Sequence, residues 1–125
     1  MQFKLPTPEE REAKQAEMDA RAIELTQREG GTVHPLLFVD KYSGEFVTGF
    51  MKEPPIMTKL MILDKGLGSA FSTCAGVLSL YMIEDESDRR LYKESSKSED
   101  QVHYLGAISF MVELVRVSQD LMKKK

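Results

Sequence analysis

Glu84, Asp85, Glu86 and Asp88 crowd four carboxylates into one short run, and two carboxylates held in different environments are what hydrolytic acid–base chemistry requires. Here they stand among Ser87, Arg89 and Arg90, which predicts a mobile, solvated surface loop across residues 84–100 instead of a pocket. The same four lack the Asp-x-Asp-x-Asp-Gly spacing that turns oxygens inward around calcium. Cys74 could serve as a nucleophile only beside a histidine base and a positive neighbour. Its run is apolar and helical in character, so it reads as an inert core thiol. One cysteine with His34 and His103 makes a poor metal-ligand set and allows no disulfide within the chain. Gly66 and Gly68 fit part of a phosphate-binding Gly-x-Gly pattern, but a third glycine and a preceding strand are missing. The expectation is a protein that is not an enzyme, with no catalytic, cofactor-binding or metal-binding residue and no cofactor.

A net charge of −3, from 17 basic and 20 acidic side chains, offers no general attraction for nucleic acid or an anionic membrane. The longest apolar stretches, Cys74–Ile83 and Leu105–Val115, are shorter than the roughly 18 residues of a membrane span. Lys4 interrupts the N-terminus before any run of signal-peptide length, which favours a cytoplasmic setting. Eight methionines against no tryptophan is a composition suited to adaptable packing and adaptable binding surfaces.

The elements that must position these residues can be read in order. Thr7-Pro8-Glu9-Glu10 is a capping box with proline at the first helical position, so a charged helix starts there and ends at Gly30-Gly31. Its apolar stripe is Ala13, Ala16, Ala20 and Ile23, with Met18, Ala22 and Leu25 beside it. Residues 1–31 form this helix or arm, and residues 32–125 form a hairpin plus helical domain. Strands over residues 32–39 and 45–51 flank a Tyr42-Ser43-Gly44 turn, and both faces of the second carry apolar side chains that must be covered. Pro54-Pro55 ends the hairpin. Ile56, Leu60 and Leu63 then predict a helix packed by that stripe, with Met57 and Met61 alongside. The helix from Ala70 should be the most buried element. Ser98-Glu99-Asp100-Gln101 is a second capping box, opening a helix whose ridge is Tyr104, Ile108, Met111, Val115 and Met122, widened by Leu105, with Lys123–Lys125 complementing its dipole. The fold class is α+β: one β-hairpin followed by a bundle of about three helices, with an N-terminal charged helix.

Gly49-Phe50-Met51-Lys52-Glu53-Pro54 at the hairpin exit, Glu86-Ser87-Asp88-Arg89 in the acidic segment and Tyr104-Leu105-Gly106-Ala107 in the last helix are arranged in an order that resembles small tailed-phage proteins, including tail assembly chaperones and related assembly proteins. The likeness covers residues 33–122. It implies a non-enzymatic protein that binds other phage structural proteins in the host cytoplasm. The alternative is a stoichiometric head or tail component carried in the virion, and an uncharacterised enzyme is a distant third. Phe46, Phe50, Met51, Pro54, Met57, Met61, Tyr104, Leu105 and Ile108 are the expected contact residues. Three amphipathic helices and a two-faced hairpin present more apolar surface than a small monomer hides, so a protein partner or a second copy would cover the excess.

Overall fold

The computed structural model describes residues 4–123, and for Leu67, Met122 and Lys123 the backbone alone. The expected packing of Met122 and the dipole role of Lys123–Lys125 therefore lie outside the described residues. Helix α1 (Pro8–Glu29) leads into strands β1 (Val33–Val39) and β2 (Phe46–Lys52), followed by α2 (Ile56–Asp64), α3 (Ala70–Tyr81) and α4 (Ser98–Lys123). Short 3-10 turns lie at Leu67–Ser69, Glu84–Glu86 and Arg89–Leu91. One antiparallel hairpin with four α-helices among the described residues makes the chain α+β, and the three helices after the hairpin pack on one another.

The first helix forms as its cap dictates. Thr7 Oγ1 accepts from the Glu10 N–H at 3.1 Å, and Glu10 Oε1 accepts from the Thr7 N–H at 2.9 Å, which satisfies two N–H groups that the helix itself leaves free. Gly30 ends it in the left-handed region at φ 76°, where an L side chain would be strained. The face that docks is Met18, Ala22 and Leu25, whereas Ile23 is 65% exposed, so the helix rotates away from the expected alanine stripe. Leu25 decides the rotation: fully burying a leucine contributes about 1.5–3 kcal/mol, and alanines offer far less area.

The hairpin is the middle layer. Alternation sends Val33 and Phe50 to one side, into a small core with Met18, Ala22, Leu25 and Ile83. Leu36, Val47 and Met51 point the other way and join Ile62, Cys74, Leu78, Ile108 and Met111 in the main core. Both faces of the hairpin are thus covered by helices of the same chain.

Its β2 edge is covered as well, by the segment expected to be a mobile loop. The Ile83 N–H donates to the Phe50 carbonyl at 2.9 Å, the Asp88 N–H to the Thr48 carbonyl at 2.8 Å, and the Phe50 N–H to Ser87 Oγ at 3.0 Å. Met82 also bridges to Met51. Residues 82–88 therefore act as a third strand in all but regularity, and Leu91 is sealed beneath them. Gly49 makes this possible, since a Cβ there would fall 2.6 Å from Leu91 Cδ1 and 3.0 Å from Ser87 Oγ.

Two further expectations are corrected. α3 is not the most buried element, because only Ala70, Cys74 and Leu78 of it are buried while Phe71 and Leu80 are 55% and 66% exposed. α4 starts without the Ser98 box: Ser98 is already helical, and the Gln101 side chain instead donates to the Ser95 carbonyl at 2.8 Å. Its ridge of Ile108, Met111 and Val115 is buried as expected, together with His103 and Ala107. Gly106 lies under the Phe38 ring, where a Cβ would come within 2.9 Å, so the close approach it permits is to the hairpin.

Candidate interaction surface

Most groups with catalytic potential are tied into the scaffold, and Glu84 is exposed to solvent. Arg21 grips Glu86 through two bonds of 2.9 Å, and Arg28 spans both oxygens of Asp85 at 3.2 and 3.3 Å, so two acids of the segment bolt α1 to the rest of the chain. Asp88 takes Nε and Nη2 of Arg90 at 3.0 and 2.8 Å, and Arg90 Nη1 donates to Asp40 at 3.1 Å. Asp40 and His103 are both buried, with His103 Nε2 3.6 Å from the Asp40 carboxylate. Burial pushes the Cys74 thiol up, away from the thiolate that reacts. At the other end of the hairpin, His34 Nε2 meets Glu53 Oε1 at 2.6 Å, and Lys59 pairs with Glu53 and donates to Ser118 Oγ at 2.9 Å. With Lys59 held by a carboxylate and Ser118 donating to the Leu114 carbonyl at 3.0 Å, this quartet locks α2 to α4. No three histidine, cysteine, aspartate or glutamate side chains converge on a metal-sized space among the described residues, and no described helix is long and apolar enough to cross a membrane.

The hydrogen-bonded acids Asp40 and Asp88 make stability depend on pH. The Tyr42 N–H holds the Asp40 carboxyl below its ordinary range, and the Arg90 guanidinium does the same for Asp88. A depressed folded-state value means stabilisation that is complete above the unfolded value of about 3.9 and is lost as pH falls through the folded value. The melting temperature should hold from neutral pH to about 5 and fall below about 4. A thermal scan in which Asp40→Asn leaves the acid limb as steep as in the parent protein would contradict this assignment.

The nine expected contact residues separate. Phe50, Met51, Pro54 and Ile108 are interior, at 4% exposure or less, and so cannot touch a partner in this fold; packing within the chain's own two cores removed Phe50, Met51 and Ile108 from the surface. Phe46 and Tyr104 are half-buried. Met57, Met61 and Leu105 are exposed, and two of these three share α2.

On α2 the polarity is inverted. Ile62 is its one buried residue, while Thr58 bonds the Tyr81 hydroxyl at 2.7 Å and Lys59 reaches Glu53 and Ser118. Its polar side chains thus anchor it inward. Ile56, Met57, Leu60 and Met61 face solvent at 52%, 72%, 37% and 38% exposure. Ile56 and Leu60 were expected in the packing stripe; the signal that places them outside is the pair Thr58-Lys59, polar residues whose partners come from distant segments.

No protein-family model, curated protein or solved structure matches the chain.

Proposed function

We propose that this chain is a non-enzymatic assembly protein of the tailed-phage kind, similar in action to a tail assembly chaperone, which binds other phage structural proteins through the outward face of α2. The observation that carries the reading is the row Ile56, Met57, Leu60 and Met61, held toward water by a helix whose polar residues are used for anchoring. Contiguous apolar surface of this sort marks a protein contact, and methionine adapts to irregular or changing partners. Short β-hairpin, Glu-Pro exit and following helices keep the order on which the resemblance rests.

A Met57→Asp, Leu60→Asp double variant tests it. Both side chains are exposed, so the melting temperature should stay within a few degrees of the parent while recovery of co-expressed phage structural proteins in co-purification falls at least about tenfold, since losing one well-covered apolar anchor removes about 1.5 kcal/mol or more. Undiminished recovery by a folded double variant sinks the α2 assignment.

A further inference from the structure

The two edges of the hairpin differ. The Asp40 N–H donates to the Glu45 carbonyl and the Glu53 N–H to the Thr32 carbonyl, so the even-numbered residues of β1 bond toward β2 and the odd-numbered ones face away. On β2 the outward carbonyl of Thr48 and both backbone groups of Phe50 are met by residues 83–88. On β1, the Val33 N–H is taken by Thr26 Oγ1 at 3.0 Å and Pro35 has no donor. Leu37 and Val39 are left with outward N–H and C=O groups that find no partner among the described residues. An open cleft of about 590 Å³ runs beside them, between β1 and the first turns of α1, with Leu5, Arg11, Glu12 and Lys41 on its walls. Leu5 is 49% exposed, and none of Arg11, Glu12 and Lys41 has an ion-pair partner among the described residues.

We propose that this edge joins two copies of the chain about a two-fold axis. β1 of each copy runs antiparallel to β1 of the other, with Leu37 of one opposite Val39 of the other, and the two hairpins become one four-stranded sheet. In this register the four free donors meet four free acceptors, and Pro35 falls outside the bonded pairs. A second copy fits better than an unrelated long strand, because a strand following the whole edge would meet the missing donor at Pro35 and the committed one at Val33. The charges agree: each rim carries both signs, and antiparallel association sets Arg11 of one copy against Glu12 of the other. This surface is separate from α2, so its outcome is independent of the binding function proposed above.

Light scattering on the full chain across the micromolar range should give twice the 14.2 kDa chain mass at the upper end. Val39→Pro removes one outward donor from each copy and should return the mass to that of one chain, with circular dichroism and melting unchanged. Arg11→Glu should also favour the single chain, and Arg11→Glu with Glu12→Arg should restore the pair. A parent protein at 14.2 kDa throughout, or a folded Val39→Pro protein that still doubles, overturns the proposal. Should Val39→Pro fail to fold, Arg11→Glu decides: undiminished doubling overturns it.

Discussion

Phe50→Asp unfolds the protein. Phe50 is 4% exposed between α1 and the hairpin, packed with Met18, Leu25, Val33 and Ile83. Truncating a buried phenylalanine costs about 3–5 kcal/mol, and a carboxylate set in the same apolar space adds a desolvation penalty. Total stabilities of domains run to about 5–15 kcal/mol, so little or none should remain. Circular dichroism should show loss of the helical signal at room temperature. By contrast Leu105→Asp, at a 57% exposed site on α4, should shift stability by about 0.5 kcal/mol or less. If Phe50→Asp melts like its parent, the seating of α1 on the hairpin is wrong, because nothing else in the fold would tolerate that charge.

Arg90→Ala should be the most damaging of the surface-lying charge removals. One guanidinium holds Asp88 through two bonds and Asp40 through a third, and Asp40 is buried beside His103. Removing it leaves both carboxylates with backbone donors alone, from Tyr42 for Asp40 and from residue 90 for Asp88, and the nearly buried Asp40 without its cationic partner, for a loss of about 3 kcal/mol. Arg90→Lys should not restore it, since a single ammonium cannot reproduce the planar fork that spans both acids. Urea midpoints for Arg90→Ala and for Arg90→Ala with Asp40→Asn separate the two contributions. Recovery in the double variant is expected because the stranded charge is then gone. An Arg90→Ala midpoint equal to the parent's would remove this network from the account of stability.

The local signals in the sequence are strong where a side chain completes its own turn. Thr7 and Glu10 close the box they advertise, Gly30 ends the helix, and Gly44 at φ 75° closes the hairpin. The hairpin, the three following helices and the α+β class follow from such signals. What periodicity could not decide was which stripe of a helix faces inward. α1 offers two stripes, and Val33, Phe50 and Ile83 choose the one with Leu25. On α2 the choice is reversed by Tyr81, Glu53 and Ser118, which give Thr58 and Lys59 inward partners from three other segments. The acidic run misled for the same reason: Glu86 and Asp88 look solvated until Arg21 and Arg90 partly cover them, whereas Asp85 stays exposed even beside Arg28. Of the nine contact residues read from the sequence, Phe50 and Met51 on the hairpin lie under helices of the same chain, one of the three ways the two apolar faces of the hairpin could be covered, and so are not free to meet a partner.

The closing of β2 by residues 83–88 has a consequence for the newborn chain. Phe50 and Ser87 are 37 positions apart, and the helix that shelters the other face of the hairpin comes later still. A ribosome releases the chain from its N-terminus, so the hairpin emerges with its apolar Met51 face bare and its β2 border unoccupied until residues 83–88 and then α4 follow. During that interval the nascent protein resembles an aggregation-prone strand pair, sheltered on one side alone by α1.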